Sequence, residues 1–95
     1  MPSSTELKDF ILDQLRGLKS ITCRKMMGEY LLYNNGVLFG GIYGDRLLLK
    51  STKTNHKFGL KQEIPYTGAR PILMVENLED VNYLENLINK TVAGL

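Results

Sequence analysis

Cys23 and His56 are the only cysteine and the only histidine in the chain, so any nucleophile and base dyad would have to be made from that pair. Thiol attack would need the two to meet across the fold, with an Asp or Asn orienting the imidazole. The plainer reading makes Cys23 a small strand or core residue and His56 a loop residue. One cysteine and one histidine cannot assemble the usual zinc ligand sets, and a single cysteine forms no internal disulfide, which fits a reducing compartment. Glu29 and Asp45 are the only acids in the most distinctive stretch, residues 24–50, and they sit near opposite ends of its first hairpin, which does not read as a two-carboxylate hydrolytic pair. The glycines at 36, 40, 41 and 44 interrupt strands and turns and open no helix, so they cradle no phosphate. No catalytic residue, cofactor or metal is expected.

What remains is a set of side chains suited to binding. Tyr30, Phe39, Tyr43, Arg46 and Lys50 fall on one face of the expected strands, and aromatics interleaved with cations on a sheet can stack bases. Tyr and Arg are equally the residues enriched at protein interfaces. Net charge is only +2, spread as 0, +2, +3 and −3 over residues 1–20, 21–50, 51–70 and 71–95. Arg46, Lys50, Lys53, Lys57 and Lys61 could form a stripe attractive to phosphate, with a solvated face as the plainer alternative. The weak overall balance favours a protein partner over nucleic acid, and aromatics that merely cover a small core stay open as a third reading. Arg24 could pair with Glu29 or with the C-terminal acids, or fix a turn through backbone carbonyls. Met26 and Met27 read as one core residue and one surface filler, not as metal ligands.

Several elements must position these groups. Leu7, Phe10, Ile11, Leu15 and Leu18 recur every three or four residues behind a Ser3 and Glu6 capping box, which predicts a helix over about 4–15, with Gly17 placed to end it. Thr22 and Cys23 open a short strand reaching Met26 or Met27. Asn35-Gly36 suits a type I′ turn and Gly44-Asp45 a type II′ turn, giving two hairpins in series. Pairing outward from these turns sets Tyr33 opposite Leu38, Leu31 opposite Gly40, Ile42 opposite Leu47 and Gly40 opposite Leu49. Period-two alternation then places Leu31, Leu38, Ile42, Leu47 and Leu49 beneath the helices, and Tyr30, Leu32, Val37, Phe39, Gly41, Tyr43, Arg46, Leu48 and Lys50 on the opposite face. Gly40 and Gly41 leave a depression open to close approach. Residues 51–61 read as a short helix or a loop anchored by Phe58, 64–66 as an edge or connector before a turn at 67–68, and 70–75 as a last strand. Asn77 can cap a closing helix with the stripe Val81, Leu84, Leu87, Ile88 and Val92, ending near Ala93.

Helix, strands, irregular segment, strand and helix in that order predict an α+β domain, an antiparallel sheet with the N- and C-terminal helices on one face. Ninety-five residues with 43% apolar content suffice for one such domain spanning residues 1–95. The polar, acidic N-terminus lacks the apolar core of a signal peptide and no apolar run approaches a membrane span, so a cytoplasmic location is expected.

The order Arg24, Met26, Gly28, Tyr30, Tyr33, Gly36, Phe39, Asp45, Leu47, Lys50 resembles the N-terminal domain of the TfoX (Sxy) competence regulators. The resemblance extends more loosely from Phe10-Ile11-Leu12 to the closing helix. It implies a small α+β domain with a central antiparallel sheet, acting as a bacterial cytoplasmic transcription regulator without enzymatic activity. Founding members cooperate with the cyclic-AMP receptor protein at competence promoters. A stand-alone form, without the C-terminal domain of full-length regulators, is the expectation here. A regulatory protein partner is implied, with nucleic acid reached directly or through that partner, no membrane, and a monomer or homodimer.

Overall fold

The computed structural model describes residues 4–26, 28–63 and 72–95. In chain order the elements are α1 (Ser4–Gln14), β1 (Ile21–Met26), β2 (Glu29–Asn34), β3 (Val37–Tyr43), β4 (Arg46–Lys50), a 3₁₀ turn (His56–Phe58), β5 (Lys61–Glu63), β6 (Ile72–Val75) and α2 (Val81–Ala93). The six strands form one antiparallel sheet in the order β1-β2-β3-β4-β6-β5. Helix α1 packs on β2 and β3, α2 packs on β3, and their apolar sides meet the sheet in one core. The α+β class and the hairpin series are as the turn chemistry requires. No described helix is long and apolar enough to cross a membrane.

Turn residues explain the hairpins. Asn35 and Gly36 both have positive φ, the signature of a type I′ turn. At the next turn φ is positive at Gly44 and not at Asp45, the sign pattern of type II′. Tyr33 pairs with Leu38, Ile42 with Leu47 and Gly40 with Leu49, as expected. Leu31 does not pair with Gly40. Its partner is Gly41, because Leu32 pairs with Gly40 while Tyr33 pairs with Leu38, leaving Phe39 as the extra residue of a β-bulge.

That one residue turns over the faces of β2. Tyr30 and Leu32 come to the helix side with Ile42, Leu47 and Leu49, and all of them join the core. Phe39 points the same way and is fully buried. Leu31 and Leu38, expected beneath the helices, lie instead on the opposite side, partly exposed and outside the core cluster. Leu48 stays on the opposite face as expected, yet is only 4% exposed.

In the helices, Ile11, Leu15, Leu84, Leu87 and Ile88 are buried as their spacing predicts. Phe10 and Val81 are left exposed, and Thr91 takes a core position on α2. The α2 cap is Asp80, not Asn77: its carboxylate accepts the Tyr83 N–H at 3.1 Å. The 51–61 segment combines the expected Phe58 anchor, set edge-on to Tyr83 at 5.8 Å between ring centroids, with the unexpected strand β5. Ser3, Met27 and the expected elements at 64–68 lie outside the described residues.

The segment between β4 and β5 is held by a buried asparagine. Asn55 is fully buried; its Oδ1 accepts the Thr52 N–H at 2.9 Å, and its amide donates to the Lys50 carbonyl at 2.9 Å and to Thr91 Oγ1 at 2.8 Å. Thr91 Oγ1 donates onward to the Leu87 carbonyl at 2.9 Å, and Thr54 donates to the Lys90 carbonyl. Both sides of the amide are thereby satisfied, which makes burial of this polar group tolerable.

Two stability outcomes follow from this packing. Replacing Asn55 with Leu takes away the partners of the Thr52 N–H and the Lys50 carbonyl, both only partly buried, at roughly 1–3 kcal/mol together. Phe39→Ala removes a fully buried ring at about 3–5 kcal/mol. Against a total of roughly 5–14 kcal/mol for a domain of this length, either change should lower the urea midpoint markedly with the slope of the transition unchanged.

Candidate functional site

With both helices on one side, the other face of the sheet carries the remaining binding side chains. Register places Arg24, Leu31, Gly41, Leu48, Met74 and Lys61 in one row across it, apolar in the middle and cationic at both ends. On one side of that row stand Thr22 and Tyr33, paired across β1 and β2; on the other stand Met26, Glu29, Tyr43 and Arg46. Leu31, Tyr33, Tyr43 and Met74 are half-buried, while Arg24, Met26, Arg46 and Lys50 are exposed.

Tyr43 is the organising residue. A Cβ on Gly41 would stand 2.9 Å from its Cε2 atom and 2.7 Å from the Tyr30 carbonyl, so the ring lies over the glycine and fills the depression expected there. On the helix side, Leu49 fills the corresponding space at Gly40. Burial raises the Tyr43 phenol above its usual value, with the Glu29 carboxylate and Tyr33 adding to the shift. Glu29 in turn accepts the Gly44 N–H at 3.0 Å, tying the start of β2 to the β3–β4 turn.

Arg46 forms an ion pair with Glu63 of β5. Register aligns Glu63 with Lys50, four residues along from Arg46, so the line joining the pair passes over the position of Met74 and beside Leu48. Both partners are partly exposed, so the pair positions side chains more than it stabilises the fold.

Of the five residues expected on this face, three are there: Tyr43, Arg46 and Lys50. Tyr30 and Phe39 are not, because the bulge turns both into the core. Tyr30 docks α1 instead: its hydroxyl lies 2.8 Å from Thr5 Oγ1, and the Lys8 ammonium stands 5.4 Å from its ring centroid. Leu31 and Tyr33 take their places outside. Reading Phe39-Gly40-Gly41 as a bulge would have found this, since glycine inside a strand pattern marks one.

The other sequence candidates separate. Arg24 is exposed and makes no ion pair among the described residues, so it meets neither Glu29 nor the C-terminal acids. Gly28 and Gly36 serve turns at positive φ, Asp45 sits exposed in a turn, and Met26 is 48% exposed at the end of β1. Cys23 is half-buried with its thiol raised by burial, the effect opposed by Lys8 and supported by Asp9, so it is held protonated at neutral pH. His56 is exposed beyond the end of β4, and β4 lies three strand steps from β1, about 14 Å at the usual spacing. No group of three potential metal ligands occurs among the described residues. Of the expected basic stripe, Arg46 is held by Glu63, Lys53 lies in the turn before the 3₁₀ segment, Lys57 within that segment and Lys61 on β5.

Sequence similarity places the chain among known proteins. A 12.7 kDa protein of unassigned role in the trpE 5′ region of Spirochaeta aurantia is 29% identical over 98 residues, spanning all of this chain and 85% of that protein. The family model for the TfoX N-terminal domain matches residues 13–91, from the end of α1 through most of α2, and so takes in the whole sheet and the bulge that shapes its open face. The chain belongs to the TfoX N-terminal domain family.

Proposed function

We propose that this domain is a cytoplasmic regulator or adaptor that acts, without catalysis, by binding another protein through the open face of its sheet. The observation that carries the reading is the one-sided stacking of the helices. It leaves Leu31, Tyr33, Tyr43 and Arg46 on a face with no described element over them. Half-buried tyrosines beside an oriented arginine are the side chains that dominate protein interfaces. The family's regulatory character, in competence or in another transcriptional pathway, is consistent with such a role. Direct nucleic-acid binding is the second reading, favoured by the exposed cations Lys50, Lys53, Lys57 and Lys61.

Pull-down from lysate with nuclease treatment and a salt series separates the two. Tyr33→Ala leaves the Tyr43 cover on Gly41 in place and should keep the fold, yet lose a specific protein partner by tenfold or more, about 1.4 kcal/mol. A protein retained equally by wild type and variant would show that this face is not the contact. Recovery of nucleic acid that disappears steeply with salt supports the second reading.

The face also makes a pH prediction. The phenol of Tyr43 is raised in the folded state, so its stabilising contribution is complete below the unfolded value near 10 and is lost as pH rises through the folded value. Ultraviolet titration should show a late step in tyrosine ionisation. Tyr43→Phe should remove that late step, and Glu29→Gln should move it only partway, because burial is the larger cause.

A further inference from the structure

Strand β1 is an edge, and its hydrogen-bonding pattern shows which of its groups are unused. The Asn35 N–H donates to the Ser20 carbonyl at 2.8 Å, which makes that pair a hydrogen-bonded one. In an antiparallel ladder such pairs alternate. Thr22, Arg24 and Met26 therefore bond to β2, while the N–H and carbonyl groups of Ile21, Cys23 and Lys25 point away from the sheet. Among the described residues nothing bonds to them. The opposite edge, β5, has only three residues, whereas β1 has six, enough for an added strand.

Charge says what kind of strand. Residues 14–28 contain Arg16, Lys19, Arg24 and Lys25 and no acid. Arg16 is paired with Asp13, and Asp9, which acts on Cys23 from α1, is held by Lys8 at 2.7 Å. Arg24 and Lys25 are exposed and make no ion pair among the described residues. They are consecutive, so one stands on each face of the sheet, and an acidic side chain on either face of an added strand meets a cation. Beside this edge lies a shallow depression of about 400 Å³, lined by Thr22, Cys23, Arg24, Tyr33 and Gly36, which can receive a side chain of that strand.

From this we propose that β1 accepts an extended acidic segment of a partner protein as a seventh strand. A second copy of this chain fits less well, because pairing β1 with itself brings two Arg24 and Lys25 sets within a strand spacing with no acid between them. The edge adjoins the open face and shares Thr22, Arg24 and Tyr33 with it, but its test reads the outward backbone groups of β1, so its failure would leave the open-face reading standing.

The probe is an end-capped decapeptide alternating glutamate with valine, titrated into ¹⁵N-labelled domain beside a lysine–valine counterpart. The acidic peptide should shift the Cys23 and Lys25 amides saturably and slow their hydrogen exchange. Lys25→Pro removes an outward N–H without breaking a ladder bond and should abolish binding. The Arg24→Glu, Lys25→Glu double variant leaves the backbone intact and should weaken it at least tenfold, which keeps the test decisive even if the proline variant misfolds. Shifts confined to other residues, equal binding of the lysine–valine peptide, or unchanged affinity in the charge-reversed variant would overturn the proposal. Concentration-dependent dimerisation that protects the same amides without peptide would assign the edge to a second copy and overturn it as well.

Discussion

The extra residue at Phe39 decides which half of this sheet is core. Strand side chains alternate with a period of two, so one unpaired residue inverts every face assignment on the strand beyond it. Here the inversion brings Tyr30 and Leu32 under α1 and sends Leu31 and Tyr33 outward. The bulged residue is a large aromatic aimed into the core, which opposes a slide back into regular register: a regular strand would turn Phe39 to the open side and forfeit roughly 1.5–3 kcal/mol of burial. The glycines that follow make the arrangement sterically possible, since a side chain at Gly40 would collide with the Leu48 carbonyl and one at Gly41 with the Tyr30 carbonyl.

The two faces are held by different physics. On the helix side the work is apolar packing, completed by one satisfied polar hub in which Asn55 joins the end of β4 to the last turns of α2. The open side has no such core. Its order comes from a tyrosine ring laid over glycine, a carboxylate bonded to a turn N–H, and an ion pair spanning β4 and β5. Side chains held in place before a partner arrives lose less conformational freedom on binding, which favours affinity at a small surface. A rigid scaffold presenting an oriented polar and aromatic face suits recognition of another macromolecule, the role proposed for it.

Much of the fold was legible from local chemistry. The 3.6-residue stripes of Ile11 and Leu15, and of Leu84, Leu87 and Ile88, locate both helices, and Asn35-Gly36 and Gly44-Asp45 locate the hairpins, because each is a short-range signal. The site was legible only on the far side of the bulge. Tyr43, Arg46 and Lys50 are counted outward from the Gly44 turn and reach no irregularity, whereas Tyr30 depends on a register carried through Phe39. Asn55 was invisible for another reason: a polar residue in a polar segment carries no periodic signal, and its burial is set by Thr91, 36 positions away. Strand β5 is three polar residues whose pairing depends wholly on β6.

Which of two adjacent leucines faces water distinguishes the bulged sheet from a regular one. Solvent paramagnetic relaxation by a soluble gadolinium chelate, read on methyl-labelled protein, reports this directly. Strong attenuation of the Leu31 methyls with the Leu32 methyls spared is the result the bulged register predicts. Attenuation of Leu32 with Leu31 protected would mean that β3 carries no bulge and pairs with β2 in regular register, placing Tyr30 outside and Tyr33 inside, and would contradict both the fold and the binding face built on it.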